Sequence, residues 1–387
     1  MSPTDRAWAE IDLNALRQNL LICQNKADVA ALWPVLKANA YGHGAIECAR
    51  ICQELNVPLI GVGDSSEALQ LRNAGIHTRL LILGTAIDSE MASILEYDIE
   101  VGVHSEVRIQ ELGAIAKARN KKLGVHLKID TGMGRLGIRP EAISRIIKAL
   151  RNNPLLELLG VMSHFASSSG SNASFTEEQN MLFLQAIDEI RCSLPDAKFT
   201  CHIANSAALF TNVTPLGDAV RTGIAMFGML PSNLAQHQLR PVLSLRTQIA
   251  FFKDVPANTP VGYDSTWVSH TACRIATIPI GYNDGVPFRL GLSGNSQVLV
   301  RGKRCPIIGH VSMDYCTIDV SHVKDAGIGD MVTIIGTDGN EHITAQDVAD
   351  QADTIAYEIC CRIGSRVSRR YVDSSVTQKP LEHAYKS

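Results

Sequence analysis

Five apolar runs in this 387-residue chain end in, or carry, side chains able to hold or transfer a proton. Lys37 closes "LWPVLK", Lys128 and Asp130 lie at the end of "LGVHLKID", His164 closes "LELLGVMSH", Asn205 and Ser206 end the run "FTCHIAN", and Arg221 lies in "AVRTG". Each has a plain alternative. A lysine at a strand end is ordinarily solvated, a lone histidine ordinarily packs as a hydrogen-bonded core group, Arg221 could pair with a structural carboxylate, and Asn205 with Ser206 could simply cap a helix. Taken together they fit the rim of a parallel barrel, where catalytic groups collect at the C-terminal ends of the strands. A lysine amine at such a rim can form a Schiff base with a carbonyl substrate or hold pyridoxal 5'-phosphate (PLP). The segments "NSAA" and "TGIAMFG", after the seventh and eighth runs, offer hydroxyls and glycines near helix N-termini. Outward-pointing N–H groups there suit a phosphate, and the last two loops of a barrel are its usual place. PLP is therefore the better reading.

The elements that must position these groups follow from the pattern. Between about residues 32 and 223, eight β-rich runs alternate with helical stretches: the five above plus "LIGVG", "LLILG" and "IEVGV". Asp64 with Glu67, and Thr176 with Gln179, look like helix-start pairs, and Gly75 like a stop. Strands that are apolar throughout expect cover on both faces. The expectation is an α/β barrel of the (β/α)8 TIM type, spanning residues 1–238. An open sheet of fewer strands stays open as an alternative, because about 200 residues is short for the fold. No GxGxxG follows the first run, which weakens a dinucleotide fold. Past "PSNLAQHQLRP", residues 231–241, long β-rich runs punctuated by Gly, Pro, Asn and Asp predict a second, mainly β domain over residues 239–387, with "TAQDVADQADTIAYEICCRIG" as its one helix.

Bulk properties exclude other classes. With 45% apolar and 19% charged residues the chain is ordinary globular material, and a net charge of −3 without basic blocks argues against nucleic acid or a membrane surface. The start has no basic stretch followed by an apolar one, and no run approaches 18 apolar residues. A cytoplasmic location is expected. Ten cysteines without a CxxC pair read as small buried side chains in a reducing compartment, with no metal site.

The motifs "VLKANAYGHG", "LKIDTGMGRLGI", "SHFASS", "HIANSAA", "VRTGIAMFG", "GYNDG" and "VSMD" together resemble alanine racemase, a fold-type III PLP enzyme, in order along almost the whole chain. The resemblance implies a homodimer acting on L- and D-alanine, with active sites shared between subunits. It assigns Lys37 to the cofactor and to proton transfer on one face of the substrate, and Tyr263, from the partner subunit, to the other. Arg221 would face the pyridine nitrogen and Arg135 the cofactor's phenolic oxygen. Tyr41, Ser206, Gly223, Ile224 and Tyr357 would hold the phosphate, beside Asn205. His164 would support Arg221 and Tyr263, Met313 would present its N–H to the substrate carboxylate, and Tyr282 with Asp314 would shape the entrance. Lys128 is the position some members carry as a carbamate. The strand before "LNALRQNL" is expected to pack with the β domain. On their own, Tyr263, Tyr282 and Tyr357 would read as core aromatics and Met313 as filler.

The chain departs from the family pattern beside the tyrosine motif, with Gly262 and Asp264 flanking Tyr263, and in "GHVSMD", where His310 and Ser312 replace a common arginine and cysteine. These changes bear on entrance electrostatics. Tyr357 goes with alanine preference over serine. A broad-spectrum or serine racemase, a non-catalytic PLP carrier and a PLP-free aldolase are the competing readings.

Overall fold

The computed structural model describes residues 5–169, 172–211, 213–230, 234, 239–292 and 294–373. The segment "PSNLAQHQLRP" lies mostly outside them. Two compact units emerge, one of residues 18–240 and one of residues 1–17 with 241–387. Strand β1 (Ala7–Asp12) pairs antiparallel with Leu243–Gln248 and parallel with Ser368–Val372, so the chain enters through the β-rich unit.

In the first unit all eight β-rich runs are strands: β2 (Ala31–Pro34), β3 (Leu59–Val62), β4 (Arg79–Ile82), β5 (Glu100–Val103), β6 (Leu123–Lys128), β7 (Leu156–Met162), β8 (Thr200–His202) and β9 (Ala219–Thr222). Strands β3 to β8 form a six-stranded parallel ladder and β2 with β9 a two-stranded one. Single bridges, Val35 to Gly61 and Asn205 to Arg221, join the ladders near their C-terminal ends and close a ring of eight. The fold is the expected α/β barrel followed by a strand-rich C-terminal unit.

Local sequence explains the helices between strands. Asp64 accepts from Glu67 N and starts Ser65–Asn73, with Gly75 at φ +81 just past its end. Ser105 caps Glu106–Arg119, and Asn120 ends it in the left-handed region. The helix expected to begin at Thr176 instead runs over Ala173–Ser193, because Asn172 accepts from Phe175 N and takes the cap. Thr176 is buried inside it, its hydroxyl bonded to the carbonyls of Ser167 and Asn172, while Gln179 holds Ala166 N and His164 O.

The second unit is built on a ten-stranded sheet in the order Phe251–Val255, Cys273–Ile278, Cys316–Asp319, Lys303–Ile308, Gln297–Val300, Met331–Asp338, Leu243–Gln248, β1 and Ser368–Val372, with Glu341–Ile343 added to Met331–Asp338. The single helix expected near its end is two, Ala345–Ala352 and Ala356–Cys361, broken where Asp353 takes φ +56. Among the described residues no helix is long and apolar enough to cross a membrane.

One packing detail bears on the site. The β6–β7 pairing shifts register between Val125 and His126, and the His126 ring lies over Gly160, where an added Cβ would fall 2.1 Å from Nδ1. Gly160→Ala is therefore expected to destabilise the fold by about 1–3 kcal/mol through overpacking. Urea denaturation checks this, and an unchanged midpoint would show that the ring has room to move.

Candidate active site

Lys37 lies just past the end of β2 and is followed by an unusual turn. Ala38, Asn39, Ala40 and Tyr41 all take φ between +52 and +54, and Gly42 continues at +84. Left-handed backbone costs an L-residue about 1–2 kcal/mol, so four in succession must be held by their surroundings. The hold is visible. Glu67 accepts from Ala38 N (2.5 Å) and Gly63 N (2.7 Å), Ala40 N donates to Leu36 O (2.8 Å), and Asn39 Oδ1 accepts from Ala45 N (2.9 Å) at the start of helix Ala45–Glu54. The turn brings the phenol of Tyr41 inward, 5.6 Å from the ring of Phe227, which also stacks on His43 at 4.1 Å.

The Tyr41 hydroxyl meets the loop after β9. A Cβ on Gly223 would fall 2.4 Å from it, so only glycine leaves the hydroxyl its place. Ser206 Oγ accepts from Gly223 N (2.9 Å) and sits 3.3 Å from Thr222 Oγ1. Ile224 begins the short turn Ile224–Phe227 directly afterwards. Tyr41, Ser206, Gly223 and Ile224, far apart in sequence, thus converge on one place. Asn205 is adjacent, but its Oδ1 is committed to Ala208 N (3.0 Å) and Ser168 Oγ (2.8 Å), the capping role that was its plain alternative.

Arg221 is buried, 6% exposed, in β9. Its terminal nitrogens donate to His202 O (2.7 Å), Ser163 O (2.6 Å) and Ile203 O (3.2 Å), and face Nδ1 of His202 (2.6 Å) and of His164 (3.3 Å). Among the described residues Nε makes none of these bonds, leaving one N–H of the cation for a further acceptor. Burial pushes Arg221 down to about 10, still charged at neutral pH. Burial, then the charges of Arg221, Arg135, Lys128 and Lys37, push His164 down to about 3. Burial, then the charges of Arg221, Arg135 and Lys37, push Lys128 down to about 8; it is 9% exposed, with Nζ 3.5 Å from Leu83 O. Asp130, at the end of β6, is an anchor: it accepts from Gly132 N and Gly134 N, each 3.0 Å, and shapes the loop that carries Arg135.

In the β-rich unit Tyr263 sits in the turn Tyr263–Ser265, 70% exposed, between Gly262 and Asp264, both at positive φ. Tyr282 and Met313 come from two loops zipped together, with Tyr282 N donating to Ser312 O (3.0 Å) and Asn283 N to Met313 O (3.1 Å). Arg366 ties the same loops, donating to Asp284 (2.9 Å) and Asp314 (2.8 Å). His310 Nδ1 lies 3.9 Å from Asp264 Oδ2. Tyr357 projects from helix Ala356–Cys361.

Profiles described as "Alanine racemase, N-terminal domain" and "Alanine racemase, C-terminal domain" match residues 11–231 and 242–371. The chain belongs to the alanine racemase family. It is a racemase, an isomerase of a PLP-dependent family. It is 36% identical over 373 residues to the alanine racemase of Methanococcus maripaludis, covering 94% of this chain and 98% of the relative. It is 38% identical to that of Halothermothrix orenii, covering 95% and 97%. The crystal structure of alanine racemase from Streptomyces lavendulae superposes with a TM-score of 0.90 at 35% identity, covering 96% of this chain and 98% of that one. A structure of alanine racemase from Bartonella henselae, described with covalently bound pyridoxal phosphate, does so at 0.84 and 27%, covering 95% and 99%.

Several residues of this racemase site carry no recognisable motif. Glu67 was read as part of a helix start; its bond to Gly63 is local, but the one to Ala38 crosses 29 positions. His126 and His202 sit inside β-rich runs, and a polar residue in the middle of an otherwise buried strand is the signal that could have found them. Ala38 gives a direct test of the strained turn, since its methyl group is exposed. Ala38→Gly should raise the unfolding free energy by about 0.5–1 kcal/mol, the left-handed penalty less the added chain entropy. Chemical denaturation reads this, and a loss of stability would contradict the strain.

Proposed function

We propose that this racemase interconverts L- and D-alanine on PLP held at Lys37, in a homodimer whose active sites are completed by Tyr263 of a second copy. The observation that carries the reading is the convergence of the Tyr41 and Ser206 hydroxyls on Gly223, where a Cβ would overlap the phenol. Hydroxyls and a glycine with the following backbone N–H groups are the donor set a phosphate requires. Tyr357 joins them. Bound there, PLP supplies the electron withdrawal that makes the Cα–H of an amino acid labile.

The chain's own residues do the rest. Racemisation needs a proton removed from one face of Cα and one delivered to the opposite face, so Lys37 Nζ serves one face and Tyr263 Oη the other. Arg221 would offer its remaining N–H, on Nε, to the pyridine nitrogen. A guanidinium can only donate, so Arg221 would leave that nitrogen unprotonated and keep the electron withdrawal limited, which would favour return of the proton over side reactions. His164, neutral beside the cations, supports Arg221 and Tyr263. Arg135 would face the phenolic oxygen and the substrate carboxylate, the Met313 N–H would bind that carboxylate, and Tyr282 with Asp314 would line the entrance. The product D-alanine supplies peptidoglycan in the cytoplasm.

Incubating L-alanine with the PLP-loaded protein should give an equal mixture of enantiomers by chiral chromatography. Tyr263→Phe should lower kcat by about 100-fold to 10,000-fold, the range for loss of a general acid/base. A PLP-loaded protein that forms no D-alanine would reject the reading.

Lys128 is proposed as a carbamate. Only the neutral amine attacks CO2, and with its pKa pushed down to about 8 roughly a quarter of it is neutral at pH 7.5. The resulting anion would answer the surrounding Arg135, Arg221 and Lys37. Protein exchanged with 13C-bicarbonate at pH 8 should show a carbamate carbon signal by NMR. The signal should fade as pH falls and the amine protonates, and be missing in Lys128→Ala. A signal unaffected by Lys128→Ala would place the label elsewhere.

A further inference from the structure

Arg221 is a buried cation with no carboxylate in contact among the described residues. Its acceptors are three carbonyls and two imidazole nitrogens. Following one imidazole leads through the barrel. Nε2 of His202 lies 2.9 Å from Nδ1 of His126, and Nε2 of His126 lies 2.7 Å from a carboxylate oxygen of Glu100. Glu100 is the first residue of β5, at the end of the barrel opposite the site, and Arg79 closes on it through two bonds of 2.7 and 3.1 Å. Both histidines are fully buried and Glu100 nearly so. Trp33 packs on both imidazoles, its ring centre 4.7 Å from that of His202 and 6.0 Å from that of His126.

The ends of this chain admit one arrangement of protons. Arg221 can only donate, so Nδ1 of His202 accepts and its proton is on Nε2. Nδ1 of His126 then accepts, and its proton, also on Nε2, goes to Glu100. The carboxylate can only accept, so both ends agree. Burial holds His126 and His202 below their usual range, consistent with two neutral rings. The bonds of His126 and Arg79 outweigh the burial of Glu100 and keep it ionised. Space is set aside for this: Gly160 admits the His126 ring, and a Cβ on Gly124 would approach Glu100 Cγ to 3.1 Å.

We propose that Glu100 is a positioning residue for Arg221, serving as its remote counter-charge through His126 and His202 and fixing the tautomer of both rings. The carboxylate makes His126, and through it His202, a stronger acceptor, which seats the guanidinium and orients Nε–H. Hydrogen-bonded chains polarise in this way in a low-dielectric interior. The proposal rests on the reading of Arg221 as the partner of the cofactor's ring nitrogen.

The test uses the PLP-loaded protein labelled with 15N-histidine. Wild type should show both rings neutral and protonated on Nε2; a proton on Nδ1 of either ring overturns the relay, whatever the variants do. In Glu100→Leu the His202 Nδ1 resonance should move and kcat should fall about tenfold or more, with KM within about threefold, as expected for a misplaced group that binds no substrate. Arg79→Met removes the exposed ion pair but leaves the acceptor, and should change neither. A folded Glu100→Leu with an unmoved His202 resonance or near-normal kcat overturns the proposal, as does an equal kcat loss in Arg79→Met, which would reduce Glu100 to a stabiliser of the barrel end. A wild type with these tautomers but no racemase activity would reject the reading of the site, while the nitrogen shifts would still support the relay.

Discussion

The Arg221 guanidinium keeps its charge at neutral pH and cannot accept a hydrogen bond, so a barrel that buries it must be lined with acceptors. The carbonyls of Ser163 and Ile203 lie just past the last paired residues of β7 and β8, where the ladder no longer uses them, and they turn to Arg221. The bridge between Asn205 and Arg221 then closes the ring at that level. The same charge shapes the titration of its neighbours. Together with burial it keeps His164 and His202 neutral and makes Lys128 a weaker base than an exposed lysine.

A second constraint lies across the rim. Four consecutive left-handed residues after Lys37 are intrinsically costly, and isolated chain would not adopt them. They persist because Glu67, outside the four, collects the backbone N–H groups of Ala38 and Gly63, and the Asn39 side chain reaches forward to accept from Ala45 N, the first of the next helix. The strain sets Lys37 and Tyr41 on a short, stiff segment, and Gly223 provides the space into which the phenol fits. Strain of this kind at a site trades local stability for placement.

Much of this was legible in the sequence. Eight β-rich runs became eight barrel strands because alternation of strand and helix with both faces covered leaves few other packings. The errors were local. Thr176 looked like a helix start, but Asn172 is as good a cap four residues earlier and keeps Thr176 inside, where its hydroxyl finds backbone carbonyls. The last helix was drawn through Asp353, which instead takes a left-handed cap and splits it. Asp130 was read as a rim group and proved to be a loop anchor, since an aspartate followed by glycines readily accepts from their N–H groups.

Composition and periodicity by themselves indicated the fold class, and the motifs in their order carried the resemblance to the family, because those depend on patterns that are local or ordered along the chain. Only the tertiary structure decided which of their residues meet. That Tyr41 reaches Gly223, that Glu67 holds the turn after Lys37, and that Glu100 connects to Arg221 through two histidines are relations between residues tens to hundreds of positions apart. Hydrogen bonds and steric contacts act over a few ångströms, so barrel closure, and not sequence proximity, determines these partners.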